Sequence, residues 1–332
     1  QKSTVKTLGG IARRTGAPFA RENQLTLQKE LGLRKQMLTD KLKNIELPPM
    51  PQVAARVMQI DESQISVSAE QIKNIIQADP ALSTKILKLA NSAFYARGNR
   101  ITNLSQAIAL LGFKTVKGLS LLVSAASIIP KTGNFKIMKE LWMRSVLTAL
   151  ISKIIAERVG KDKQKDEIFM IGLLRQIGKS IMANQFPEEY AICYQMSAEA
   201  ADEEKLHQLE NMKWQFTSAQ VSGYAMQKWN FPPELVSSGE VMRYKITDAV
   251  ALEAQQPMLL PVILAEYVVL LSGYTETLKL DAKLRDKLLA EFGKITQVYG
   301  FDDAKKKYYL EDLRQVITKD SFYSFCGELF TN

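Results

Sequence analysis

The chain holds a single histidine, His207, and that count bounds the chemistry open to it. Imidazole is the usual general base near neutral pH and the commonest metal ligand. Histidine-built di-metal sites and histidine-assisted Ser or Cys nucleophiles are therefore nearly out of reach. The two cysteines, Cys193 and Cys326, stand far apart in no metal-binding or redox spacing, which fits a reducing cytoplasm. No Gly-rich run has the P-loop or dinucleotide spacing, and no Gly-x-Ser-x-Gly elbow occurs. The acidic pairs Glu188-Glu189 and Asp302-Asp303 read as helix N-terminal charge that complements the dipole, not as paired catalytic carboxylates. His207 itself, between Lys205 and Gln208 in a polar helix, reads as an exposed histidine with no special task.

Positioning any site requires a core, and 332 residues with 46% apolar and 24% charged content can build one, as about two domains or one large domain with lobes. The longest apolar runs, Leu119 to Pro130 and Leu259 to Gly273, are too short or carry Glu266, so no membrane span is expected. Residue 1 is Gln, and no basic-then-apolar-then-small pattern follows it, which reads as a trimmed or processed N-terminus without a signal peptide. Of the net charge of +9, residues 1–46 supply +6, from ten Lys/Arg against four Asp/Glu. Such a segment reads as a solvated tail or helix face, with nucleic-acid binding as the alternative.

The apolar spacing is helical almost throughout. Residues 1–22 show no apolar period and are expected to be loose, and 23–46 form one amphipathic leading helix through Leu27, Leu31, Leu38, Leu42 and Ile45. Leu47-Pro-Pro-Met-Pro51 then forbids helix and marks a domain entrance. Beyond it, Ser68 to Gln71 reads as a capping box before Ile72. Pro80 suits a first helical position, Gly112 a left-handed cap, and Asp166 an N-cap for a helix running through Phe169, Leu173 and Ile177. With no sustained alternation and no hairpin signature, the fold class is all-α. A first lobe spans 47–130, a second 131–255, and C-terminal helices covering 256–332 are expected to pack on the second.

Two segments carry a family resemblance. Gln77-Ala-Asp-Pro-Ala-Leu-Ser-Thr-Lys-Ile-Leu-Lys-Leu-Ala-Asn-Ser-Ala-Phe94, continued by Ile101-Thr-Asn-Leu-Ser-Gln-Ala-Ile-Ala-Leu-Leu-Gly112, resembles the signature of the HDOD family. Leu47-Pro-Pro-Met-Pro51 and Leu173-Leu-Arg-Gln-Ile-Gly-Lys179 fit the same family, so the resemblance covers most of 47–272. It implies a two-lobed helical fold, in which an HD-like bundle is joined to an extra N-terminal helical lobe. It also implies descent from metal phosphohydrolases that have lost their catalytic site.

HD hydrolases hold metal with histidines and aspartates, lowering the pKa of a bound water and clamping phosphoryl oxygens. By the resemblance, Arg175 and Gln176 stand where the His-Asp pair would be. Arg has no lone pair to donate and Gln is a poor substitute for a carboxylate. Arg144, Ser218 and the Arg243-Tyr244-Lys245 segment fall at other histidine positions, and Glu266 keeps a carboxylate where the enzymes carry aspartate. No metal and no cofactor are expected. A buried guanidinium needs a partner, so an Arg175–Glu266 or Arg144–Glu266 ion pair is expected to replace the metal. The alternative is a positively charged pocket for a nucleotide phosphate. In the signature box, Asn91 and Tyr95 are a candidate binding surface; the competing reading is a helix terminus whose side chains satisfy local carbonyls.

These readings converge on a non-catalytic signalling or regulatory module of a bacterial cytoplasm, binding a protein partner or a nucleotide second messenger. The alternatives are a metal-dependent HD phosphohydrolase, which the missing ligands oppose, and a nucleic-acid-binding regulator using the basic leading segment.

Overall fold

The computed structural model describes residues 36–47, 52–60, 65–92, 95, 100–128, 135–198, 203–241, 248–273 and 280–317. The expectations for 1–22, for Phe94, for Arg243-Tyr244-Lys245 and for Cys326 lie outside them. The chain divides into two compact units, residues 1–46 and 47–332. In the first, the described part of the leading helix is helical at 36–42, and Leu42 and Ile45 are buried.

The described residues are helical and contain no strand, as their apolar spacing requires. Five helices form the first lobe: α1 (Gln52–Met58), α2 (Ile65–Gln77), α3 (Pro80–Ala90), α4 (Leu104–Leu111) and α5 (Phe113–Ile128). Helix α3 starts as proline chemistry dictates, with Pro80 following the N-cap Asp79, whose carboxylate accepts from the Leu82 amide at 3.0 Å. Gly112, at φ +87°, ends α4 and lets α5 begin one residue later. The expected capping box at Ser68 does not form. Helix α2 begins at Ile65, and Ser68 is buried inside it with no exposed area.

The second lobe comprises α6 (Phe135–Arg158), α7 (Lys165–Leu174), α8 (Ile177–Gln185), α9 (Pro187–Ala198), α10 (Glu203–Trp214), α11 (Ser218–Lys228) and α12 (Pro233–Glu240). Then follow α13 (Ala249–Gln255), α14 (Leu259–Leu271), α15 (Ala282–Thr296) and α16 (Asp303–Ile317). Helix α14 is buried along its whole length and packs against α6 and α7, with α15 and α16 laid over it. A helix apolar on every side belongs in a core, and α14 is the axis of this one. No helix among the described residues is long and apolar enough to cross a membrane.

The lobes join where α5 lies on α7. Gly118 makes that contact possible, because a Cβ there would meet Met170 Sδ at 2.4 Å and Phe169 Cε1 at 3.1 Å. Lys153 of α6 ties the same junction, donating to Thr115 Oγ1 of α5 at 2.8 Å and pairing with Asp166 of α7 at 2.8 Å. Asp166 is therefore not the expected N-cap. A 3-10 turn at Asp162–Gln164 leads straight into α7, and Asp166 lies in its first turn. The helix expected to run through Ile177 is also two helices, broken at Arg175 and Gln176.

Candidate functional site

The break between α7 and α8 is what aims the site residues. Arg175 closes α7 in helical geometry, and Gln176, at φ −101° and ψ 14°, departs from it before α8 begins. Both side chains reach the one carboxylate of α14. Arg175 Nε donates to Glu266 Oε1 at 2.8 Å and its Nη2 to Oε2 at 3.2 Å, while Gln176 Nε2 donates to Oε1 at 2.5 Å. The remaining guanidinium nitrogen, Nη1, donates to the Val241 carbonyl at 2.8 Å and to the Ser238 carbonyl at 3.4 Å. Arg175 and Glu266 are 4% and 2% exposed, so the pair is sealed from water. Of the two ion pairs expected from the sequence, the structure contains the Arg175 one.

Arg144 takes another partner. On α6 it donates from Nη1 to Tyr194 Oη at 3.1 Å, and that hydroxyl donates to Glu140 Oε1 at 3.3 Å. Burial disfavours the Arg144 cation, but Tyr194, Glu140 and Glu266 outweigh it and its pKa is raised. Burial likewise pushes the Tyr194 hydroxyl up to about 12, with Arg144 opposing.

Ser218 is fully buried at the start of α11. Its amide donates to Glu210 Oε2 at 2.8 Å, and its carbonyl accepts from Ser222 Oγ at 3.1 Å. Ser222 Oγ also accepts from the Gly178 amide at 2.8 Å, so the Ser222 side chain joins α8 to α11. Gly178 has to be glycine, because a Cβ would stand 2.0 Å from the Ser218 carbonyl oxygen.

Two buried charged groups of this region, Lys179 and Glu210, were given no role from the sequence, and His207 was misplaced. Lys179, one turn after Gln176, donates to Gln176 Oε1 and to Glu203 Oε1, each at 3.2 Å. Burial lowers its pKa, against the pull of Glu203 and with the push of Arg144. Glu210 accepts from Tyr190 Oη at 3.1 Å, and burial raises its carboxyl to about 7 even though the Ser218 amide and Lys179 favour the anion. His207, expected to be exposed, is only 2% exposed, with Nε2 3.9 Å from Glu210 Oε2. Leu206, His207 and Glu210 share the buried face of α10, a helix whose polar composition hides that face. A carboxylate four residues from a buried leucine was the signal.

In the signature box the half-buried Asn91 bonds local backbone, the arrangement that the helix-terminus reading describes. Asn91 Nδ2 donates to the Leu87 carbonyl at 2.9 Å and to the Ile101 carbonyl at 2.7 Å, and its Oδ1 accepts from the Ile101 amide at 2.8 Å. It stitches the end of α3 to the strand of chain entering α4. The Tyr95 hydroxyl is buried, and burial together with the Asp166 and Glu157 carboxylates raises its pKa. Tyr95 thereby lies near the junction of α6 and α7.

Among the described residues, no group of three or more His, Cys, Asp or Glu side chains is arranged to hold a metal ion. The Glu266 carboxylate is shared by the donors of Arg175 and Gln176.

The fold has counterparts among known proteins. An HDOD domain protein from Geobacter sulfurreducens superposes with a TM-score of 0.68 at 20% identity, covering 91% of this chain and all (100%) of that one. A Marinobacter aquaeolei protein named for signal transduction superposes at 0.64 with 16% identity, covering 90% of this chain and 66% of its own. A curated relative, an uncharacterized protein of Treponema pallidum, is 24% identical over 191 residues; the chain spans 57% of itself in that match and only 36% of the relative's length. The family model of the HDOD domain matches residues 47–243, and the chain belongs to the HDOD domain family.

Proposed function

We propose that this chain is a non-catalytic module of bacterial cytoplasmic signal transduction that acts by binding a partner. The observation that carries the reading is the Arg175–Glu266 pair. The position that the family resemblance gives to the metal-binding His-Asp pair holds a guanidinium and an amide, both bonded to the carboxylate left behind. A guanidinium cannot ligate a metal, and its positive charge repels one. The Marinobacter relative, named for signal transduction, supports the same class.

Arg175 spends all three of its nitrogens within the fold, which favours a protein partner over a messenger phosphate held at this point. The test is elemental analysis of the purified full chain, with hydrolysis of bis(p-nitrophenyl) phosphate and of cyclic dinucleotides measured with and without added Mn2+. The expected result is no stoichiometric metal and no turnover. Iron, manganese or zinc at about one per chain, with turnover lost on chelation, would overturn the reading in favour of a phosphohydrolase.

A further inference from the structure

Beside the tight contact at Gly118, the two lobes part and leave a cavity of about 370 Å3. Met58 of α1 forms its wall from the first lobe, and Met170, Phe231, Leu235 and Met258 form the facing wall from the second. The cavity falls in the size range of small-molecule sites, which are mostly apolar with a few polar groups that fix orientation. It is not the vacated metal position, since none of Arg175, Gln176 and Glu266 lines it.

The charges that line it decide what it takes. Lys114 and Lys117 come from α5, Glu167 and Glu234 from the second lobe, and they sum to zero. Lys114 is moreover paired with Glu167 across the junction. A ligand with net charge would meet an equal number of like charges and would pay desolvation without a surplus of opposite charge. Methionine thioethers beside Phe231 adapt their shape and make favourable contacts with aromatic rings.

We propose that the cleft between the lobes is a binding site for an uncharged, largely apolar aromatic molecule, which on binding links α1 and α5 to α7 and α12. This goes beyond the proposed function, and its test does not depend on metal content or hydrolysis. Such a ligand binds only the folded chain and so raises its melting temperature by mass action.

The probe is N-phenyl-1-naphthylamine, which is neutral and fluoresces strongly when taken out of water. With the full chain, the expected result is saturable, blue-shifted emission at one probe per chain and a melting temperature that rises at saturation. Leu235→Trp and Met58→Trp, which fill the cavity from opposite lobes, are each expected to weaken binding at least about tenfold. Met212→Ser, at a side chain 82% exposed on α10, should leave binding unchanged. The proposal is overturned if the filled variants bind like the parent chain, or if Met212→Ser loses the probe as they do. Should either Trp variant fail to fold by circular dichroism, the parent's melt decides: an unmoved melting temperature at saturating probe also overturns it.

Discussion

Arg175 and Glu266 lie 91 residues apart in sequence and meet through two hydrogen bonds, Nε to Oε1 at 2.8 Å and Nη2 to Oε2 at 3.2 Å. This fork-on-fork geometry, closed off from water, ties the α7–α8 break to α14. Removing one partner of such a pair leaves the other charge buried and costs about 3–5 kcal/mol, whereas replacing both with apolar groups is often neutral. Arg175→Met is therefore expected to lower stability by that amount, and Arg175→Met with Glu266→Leu to recover most of it. Urea denaturation of the two variants checks this. If Arg175→Met melts like the parent chain, the pair is not a structural tie.

Glu210 makes stability depend on pH in a definite sense. Its carboxyl is raised from the ordinary 4.5 to about 7, so between those values the folded chain keeps a proton that the unfolded chain releases. Stability from this group is then present at low pH and is lost as pH rises through about 7. Lys179, depressed below 10.5 by burial, works in the opposite sense, so the comparison must be with a variant. Glu210→Gln keeps the contacts with Tyr190, Ser218 and His207 without the titration. Between pH 5 and pH 8 the parent chain should lose on the order of 1–3 kcal/mol relative to this variant. Parallel stability profiles for the two proteins would exclude the effect.

Two glycines on helices should respond oppositely to alanine. At Gly178 the added carbon meets backbone of α11 on two sides, 2.0 Å from the Ser218 carbonyl oxygen and 2.6 Å from the Ser222 nitrogen. Neither can move without separating α8 from α11. At Gly293, inside α15, nothing lies within 4 Å. Gly178→Ala is expected to cost about 3 kcal/mol or more through overpacking, and Gly293→Ala to add about 0.5–1 kcal/mol through helix propensity and lost unfolded-state entropy. Thermal melts of the two proteins separate the outcomes.

The family match ends at residue 243, before the helix that carries Glu266. A fragment of residues 47–243 lacks α14, against which α6 and α7 pack, and leaves Arg175 buried without its carboxylate. It should lack a cooperative melt and bind dyes of exposed apolar surface, while residues 47–332 melt cooperatively. A sharp melt for the shorter fragment would show that α14 is dispensable.

Much of the fold was legible because its signals are local. The helix start at Asp79-Pro80 follows from side-chain chemistry within four residues, and the apolar faces repeat at helical spacing. The Arg175–Glu266 pair was legible because a buried guanidinium must find an anion and only one carboxylate was assigned nearby. The break at Arg175-Gln176 was not, since Phe169, Leu173 and Ile177 keep helical spacing across it and no proline intervenes. What breaks the helix is tertiary: the hydrogen bonds from both residues to Glu266 and from Arg175 to the end of α12. His207 and Glu210 were missed for a similar reason, because burial of polar side chains depends on which helix covers them.

During synthesis, Arg175 leaves the ribosome well before Glu266, and 91 residues must follow before its counter-ion exists. Until then the guanidinium stays hydrated and the apolar faces of α6 and α7 lack the helix that fills the gap between them. A premature stop between residues 243 and 259 would release a chain that holds the whole family match but lacks α14, the kind of species that chaperones and proteases intercept.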